Sequence, residues 1–308
     1  VSNEGSGDLS VLDGTTGALV SSFHVGKRPR GIQRSPDGAR VYVALSGTAA
    51  APPGFTGTLP PPDPAAHGIG VVDARTLAVV DRLPAGSDPE QFALSRDGTK
   101  LYVANEDAAT ASVIDLGSRR VEATLRVGAE PEGVSVSPDG RWVYVTCEGT
   151  GAVEVIDAAT TTVLKGVPIA GRPRAAAFLP DSTKAYVSSE TAGTLTVIGL
   201  PDHDVKKTIK LDGRPMGVVV TPDGKLVFVT TGRGASVMAV DTEKDEVVST
   251  IPVGERPWGI ALSPDGRTLF VANGPSDDVS MVDVASRKET GRTKLPAGSR
   301  PWGVVVVP

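Results

Sequence analysis

Charged residues bracket a proline that returns seven times along this chain. Ahead of the prolines stand Arg28, Asp88, Glu130, Arg172, Arg214, Arg256 and Arg300. Behind them stand Arg30, Glu90, Glu132, Arg174, Met216, Trp258 and Trp302. Two successive knots are acidic on both sides, and the other five carry arginine before the proline. A guanidinium fork suits carboxylate or phosphate, and an indole adds a stacking face. Grouped carboxylates can hold a cation or an amine, or act as general acid and base. The expected arrangement is a polarised ring that binds a small anionic molecule. The same charges could instead pair with one another and lock the ring with no ligand.

The elements that position these residues follow from the spacing. The knots read GKRPRG, GSDPEQ, GAEPEG, AGRPRA, DGRPMG, GERPWG and GSRPWG, with prolines at 29, 89, 131, 173, 215, 257 and 301. Their intervals are 60, 42, 42, 42, 42 and 44. A fixed period of this size marks a repeat fold whose units bury their apolar faces by stacking. Within one repeat, Gly133–Ser137, Arg141–Cys147, Ala152–Asp157 and Thr162–Ile169 are short alternating runs. Turn chemistry separates them, such as Ser137-Pro138-Asp139-Gly140, where proline presets φ and glycine accepts a positive φ. Four short antiparallel strands per repeat are the sequence form of a propeller blade. Helical periodicity is absent.

The termini complement each other. Val1–Glu4 matches the end of a second strand, and Pro301–Val307 matches an inner strand. Together they complete a seventh blade, with Val304–Val307 expected to pair near Val1–Asn3, so the ring closes and its two open edges disappear. The fold class is therefore all-β: a seven-bladed β-propeller of four-stranded antiparallel blades in one domain, residues 1–308. Innermost strands run from the knots to the SPDG-type turns. Knots and second-strand ends, around Glu4, Glu106, Glu148 and Glu190, thus share one face, where a ligand site is expected at the channel mouth.

The YVAN-like strand ends (Tyr102–Asn105, Tyr144–Cys147, Tyr186–Ser189, Phe270–Asn273), the SPDG turns and the GxRPxG connectors resemble the YVTN family of seven-bladed propellers. The opening VSNE, the knot GKRPRG, the run DPEQFALSRDG and the closing RPWGV resemble a narrower subgroup. These are the propellers associated with pyrroloquinoline-quinone-dependent alcohol catabolism. That resemblance implies an exported, periplasmic or secreted protein with a non-catalytic accessory role, binding a small anion or a protein partner. Seven-bladed propellers also include metal-dependent lactonases and lyases, which makes an enzyme the alternative. There, Glu90, Glu132 and His67 would form the metal shell and an arginine would polarise the substrate. A structural or adhesive surface protein is the third possibility, because fold does not choose function.

The first interval exceeds the regular one by an insertion within residues 46–68. Its prolines at 52, 53, 60, 61, 62 and 64 stiffen it toward extended structure and disfavour helix or central strand. A long insertion of this kind on the knot face is read as a lid, with Phe55 and His67 as its contacts. Of the other histidines, His24 is expected on a fourth strand and His203 in a solvated turn on the opposite face. Cys147, the only cysteine, stands where other blades carry asparagine and is read as a strand-end residue.

Composition narrows the partners. Net charge is −5, with no basic stripe, which argues against nucleic acid. No apolar run approaches the roughly 20 residues of a membrane span. Aromatics make up only 4%, so the interior must be built from Val, Ala, Leu and Ile. No cofactor is expected outside the enzyme alternative, which would take a divalent cation, and the protein is expected to be a monomer. The chain opens with Val1 instead of Met, which is read as processing or trimming, such as removal of a secretory signal.

Overall fold

The computed structural model describes residues 1–49 and 56–307. Among these residues, 28 strands form seven antiparallel four-stranded sheets. Blades 1 to 6 begin at the inner strands Pro29–Arg34, Pro89–Leu94, Pro131–Val136, Pro173–Phe178, Pro215–Val220 and Pro257–Leu262. Blade 7 is composite: Pro301–Gly303 pairs with Ser2–Asn3, which pairs with Asp8–Leu12, which pairs with Leu19–His24. Each inner strand packs against the next, and Pro301–Gly303 packs against Pro29–Arg34, so the ring is closed. Closure uses Pro301 and Gly303 opposite Asn3 and Ser2. The expected pairing of Val304–Val307 is not formed; these residues lie outside any strand ladder and pack by their side chains.

Alternation decides which side chains are buried. In blades 1 to 6 the second and third strands are mostly buried, whereas outer strands expose much of both faces. Apolar clusters lie in the seams between blades and not within them. In one of these, Tyr102, Ala104 and Val113 of blade 2 meet Val134, Val143 and Val145 of blade 3.

Two repeated devices hold the inner strands at the channel. In six knots the residue before the proline has a positive φ of 42° to 61°: Arg28, Asp88, Glu130, Arg214, Arg256 and Arg300. Such a backbone is uncommon outside glycine. Here it is held by the loop after the second strand, whose N–H donates to the carbonyl of the pre-proline residue, as from Glu106 to Asp88 and from Glu148 to Glu130. The second device is a hydroxyl near the end of the second strand. Thr146 Oγ1 accepts from the Gly133 N–H at 2.8 Å and donates to the Arg174 carbonyl of the next blade at 3.0 Å. Thr230 joins the Gly217 N–H to the Trp258 carbonyl at 2.8 Å each. Ser188 and Ser2 occupy the same place in blades 4 and 7, whereas blades 1, 2 and 6 have Ala44, Ala104 and Ala272. The knot glycine is needed for the same contact, since a Cβ on Gly133 or Gly217 would lie 2.4 Å from the neighbouring carbonyl oxygen.

Candidate functional site at the channel mouth

All seven inner strands line a central channel with a cavity of about 350 Å³. Glu132, Arg174, Met216, Trp258 and Trp302 contribute to its wall near the knots. Knots and second-strand loops meet there through the backbone bonds just described. The described ends of the insertion are tied to the same region. Lys27 Nζ bonds Asp63 at 2.7 Å, Thr48 Oγ1 bonds Asp107 at 3.1 Å, and Arg28 Nη1 donates to the Thr48 carbonyl. A short 3-10 turn, Pro64–Ala66, occurs here where the prolines predict irregular extension. Phe55 lies outside the described residues.

The densest charge lies between blades 1 and 2. Asp88, Glu90 and Glu106 each bring a carboxylate oxygen within 4.8 Å of the other two. Asp88 and Glu90 are buried and Glu106 is partly so. Arg30, itself buried, reaches this cluster from blade 1 and pairs with Asp88 and Glu90, with Glu106 at 3.7 Å. Burial lowers the Arg30 pKa, and Asp88 raises it. Ser46 Oγ also donates to Asp88. His67 takes part through Nδ1, which accepts from the Gly47 and Asp88 backbone amides at 3.2 Å each. That nitrogen thus shapes the Asp88 turn, while Glu132 pairs with Arg174 at 2.8 Å. Of the metal shell envisaged from sequence, only Glu90 belongs to the cluster.

Glu106 is perturbed as well. Burial raises its pKa to about 7, and Glu132 and Asp88 push it the same way, against Arg30. The cluster thus carries more negative charge than Arg30 compensates. Its oxygen spacing suits a hard divalent cation, whose ligands sit at roughly 2.3–2.6 Å for calcium. In spacing and donor type, these residues fit such an ion.

The expected division into acidic and basic sectors becomes interleaved pairing. Arg28 meets Glu4 at 2.9 Å and Arg214 meets Glu190 at 3.1 Å; Arg172 meets Glu148, with Glu130 at 3.6 Å. Arg174 meets Glu132 and Glu148. Each pre-proline arginine in these pairs reaches a glutamate of the preceding blade 24 residues earlier. At the same place, directly after the second strand, Gly232 precedes Arg256 by 24 residues and Gly274 precedes Arg300 by 26. Among the described residues, neither of these arginines has a carboxylate within ion-pair distance. The Arg256 guanidinium lies 5.0 Å from the Trp258 ring centre, and Trp258 meets Trp302 edge to face at 5.7 Å. Trp258 Nε1 is buried and has no hydrogen-bond acceptor. Glu4, Glu106, Glu148 and Glu190 were placed on this face by sequence but not among the site residues. For Glu4, Glu148 and Glu190 the signal is a constant offset of 24 to an arginine; Glu106 stands 24 residues before Glu130 and carries no such signal.

Residues outside the mouth behave otherwise. Cys147 is fully buried and its thiol is pushed up to about 12 by burial, so it is no nucleophile. His203 is not solvated: it is buried against the Trp142 ring, and its Nδ1 meets the Tyr144 hydroxyl at 2.8 Å. The small turn residues around it could not announce a neighbour 59 positions away. His24 is exposed on an outer strand, 3.2 Å from Asp8. Among the described residues, no helix is long and apolar enough to cross a membrane.

The family model for the seven-bladed β-propeller lactonases matches residues 128–295, more than half of the chain. The chain belongs to this family. A model for the cytochrome D1 heme domain matches a shorter stretch of this lactonase-family propeller, residues 63–187. Among curated proteins nothing matches significantly. Solved structures share the fold. A proposed 6-phosphogluconolactonase from Bacteroides uniformis is 19% identical with a TM-score of 0.78, covering 96% of this chain and 95% of that one. Hydrazine synthase of Kuenenia stuttgartiensis is 23% identical with a TM-score of 0.74, covering 92% and 90%. A functionally unknown protein from Desulfotomaculum acetoxidans is 13% identical with a TM-score of 0.80, covering 99% and 97%. Identities this low speak for the fold alone. The lactonase match spans Glu132, Arg174 and Trp258 but ends short of Arg30 and the Asp88, Glu90 and Glu106 cluster.

Proposed function

We propose that this propeller hydrolyses a lactone at its knot-face channel mouth, with a divalent cation held by Asp88, Glu90 and Glu106. The observation that carries the reading is the crowding of these three carboxylates, each with an oxygen within 4.8 Å of the other two. Membership of the lactonase family supports it. A cation bound there supplies Lewis-acid polarisation of an ester carbonyl. A Glu106 carboxylate oxygen not engaged by the cation would accept a proton from the attacking water. Attack of the water oxygen at the carbonyl carbon, cleavage of the acyl C–O bond and transfer of the proton from Glu106 to the departing ring oxygen open the lactone to a hydroxy acid. Arg256, which has no carboxylate partner among the described residues, stands where it can hold an anionic substituent, with the Trp258 ring beside it. Arg30 already offsets part of the charge, so the ion is expected to bind on the Glu106 side of the cluster, and weakly.

A second reading has its own support. Among the described residues Arg256 and Arg300 have no carboxylate partner and Trp258 Nε1 no acceptor, which suits a binding protein for a small anion. The motifs resembling the YVTN and pyrroloquinoline-quinone-associated propellers would then mean an exported accessory protein, with the 46–68 insertion as its lid. One experiment separates the two. Metal analysis of purified protein, followed by pH-stat hydrolysis of glucono-δ-lactone with calcium, magnesium or manganese and with chelator, should show chelator-sensitive turnover. Glu106→Gln should abolish it. No bound ion and no turnover, with phosphate binding that Arg256→Ala removes, would replace the enzyme by the binding protein.

A further inference from the structure

Among the described residues, the cluster of three carboxylates falls on the same seam as the longest break in the repeat. The insertion follows the second strand of blade 1, and Asp88, Glu90 and Glu106 belong to blade 2. In blades 2 to 7 the loop from second to third strand holds four residues. Its last residue is Ala109, Gly151, Gly193, Ala235, Asp277 or Gly7, always at positive φ. His67 takes this place in blade 1, at an ordinary φ of −70°.

The two described ends of the insertion, residues 46–48 and 63–67, clasp each other. The Asp63 N–H donates to the Gly47 carbonyl at 3.1 Å, and the Gly47 N–H to His67 Nδ1 at 3.2 Å. Gly47 is needed for this, since a Cβ there would lie 1.9 Å from the Asp63 carbonyl oxygen. From the clasp, contacts run to two of the three carboxylate residues. His67 Nδ1 also accepts the Asp88 N–H at 3.2 Å, and Ser46 Oγ donates to the Asp88 carboxylate. The Thr48 N–H donates to that same Oγ at 3.0 Å. Thr48 Oγ1 and Ser87 Oγ donate to Asp107 Oδ2 at 3.1 and 3.3 Å, directly beside Glu106 in the chain. The Glu106 N–H closes the circuit on the Asp88 carbonyl at 3.0 Å.

Blade 6 shows that the place of His67 is a bracing one. Among the described residues, one other pre-proline amide donates to a side chain: the Arg300 N–H, to Asp277 Oδ1 at 2.6 Å. Asp277 stands before the third strand of blade 6 as His67 does in blade 1. A carboxylate suits that place beside an arginine. Beside three carboxylates it would add a like charge. An imidazole nitrogen that accepts two amides carries no proton, and it holds the turn without adding charge.

We propose that the insertion is a brace that sets the affinity of the acidic cluster for its cation. His67 is the positioning residue for Asp88, and Thr48 for the loop that carries Glu106. The inference rests on the cation reading given above. Partners behind metal ligands fix ligand orientation, and their loss typically lowers metal affinity about 10- to 100-fold.

The test compares the parent with His67→Leu, His67→Asn and Thr48→Val. An asparagine Oδ1 can accept where Nδ1 does, and nothing stands where Nε2 does. In chelator, amide exchange at Asp88 should be about fivefold faster in His67→Leu and parent-like in His67→Asn. Calcium, titrated by calorimetry, should bind about tenfold more weakly to His67→Leu and within about threefold of the parent to His67→Asn. Thr48→Val should bind calcium more weakly than the parent with Asp88 exchange unchanged. Melting in chelator shows which variants are folded; if His67→Leu is not, Thr48→Val carries the test, and parent-like affinity there overturns the proposal. Unchanged exchange and affinity in His67→Leu overturn it too. So does an equal loss in both His67 variants, because the ion would then be held by Nε2. Failure of the cation reading looks different: the parent itself binds no calcium, magnesium or manganese while exchange at Asp88 still follows the expected order. The brace then serves the Arg30 pairing alone, and its role in cation binding is overturned.

Discussion

Two seams of the ring solve the same problem with different chemistry. Between blades 5 and 6, Thr230 bridges the Gly217 N–H and the Trp258 carbonyl with one uncharged hydroxyl. Between blades 1 and 2 the same position is Ala44, and the link is Arg30, buried with Asp88 and Glu90. A hydroxyl clasp loses little solvation. A buried guanidinium with carboxylates loses a great deal, and such pairs often add nothing to stability over an apolar alternative. The neutral clasp recurs in four blades because stacking asks no more than that. The charged link between blades 1 and 2 occurs where no hydroxyl is available, and a buried pair of this kind is weak evidence of a contribution to stability.

Breaking the charged seam should have the largest effect. Arg30→Met leaves Asp88 and Glu90 buried without their main counter-charge, and a loss of about 3–5 kcal/mol is expected. Urea unfolding at pH 7.5 measures it. Added calcium should restore part of the loss, because the ion would take over the vacated charge. A variant as stable as the parent would mean that the carboxylates are already relieved by solvent or protons.

Glu106 sharpens the comparison through pH. Its pKa is raised to about 7 in the folded protein, so between roughly pH 4.5 and 7 the folded state binds more protons than the unfolded one. Its contribution to stability therefore falls as pH rises through that window. Glu106→Gln removes the dependence. The variant should match the parent at pH 5 and exceed it at pH 8 by about 2 kcal/mol, allowing for partial exposure. Calorimetry at both pH values checks this. A constant difference would place the excess charge elsewhere.

Much of the fold could be read from residues, and the reasons are local. Pro-Asp-Gly turns, strand alternation and a fixed interval each act within a few positions, and 42-residue spacing leaves one way to stack them. Blade 7 was legible because Val1–Glu4 and Pro301–Gly303 fit repeats seen complete elsewhere. The site was less legible. Reading knots alone named Arg30, Asp88 and Glu90, but Glu106 joins them from a different loop, through the pairing of two strands. His67 seemed a candidate ligand by its place in the insertion, yet its Nδ1 is engaged by the Gly47 and Asp88 amides. The pairing of each arginine with the preceding blade depends on the direction in which the ring stacks. No single repeat contains that information.

The neutral seam gives a smaller effect. Thr230→Val keeps the shape but leaves the Gly217 N–H and Trp258 carbonyl without their partner. A loss of about 1.5 kcal/mol is expected, from a lost bond and two partly buried polar groups. Thermal unfolding should register it as a drop of a few degrees, with lactone turnover unchanged. If stability is unchanged instead, water replaces the hydroxyl, and blades 1, 2 and 6 have simply adopted that solution.

The smallest effect on stability should come from the far side of the mouth. Arg256 is exposed, has no carboxylate partner among the described residues, and lies beside the Trp258 ring. If folding had placed it, its removal should weaken the seam as the loss of Arg30 does. If a ligand placed it, the fold should not notice. Arg256→Ala is therefore expected to leave unfolding within about 0.5 kcal/mol of the parent, the range of ordinary surface changes. The same variant should weaken binding of phosphate or a carboxylate, titrated by Trp258 fluorescence at low salt, where an exposed charge is least screened. Arg256→Lys should restore only part of that binding, because an ammonium keeps the charge but loses the planar two-point fork. Equal binding by Ala, Lys and Arg would show that the two sides of the mouth differ in composition without differing in purpose.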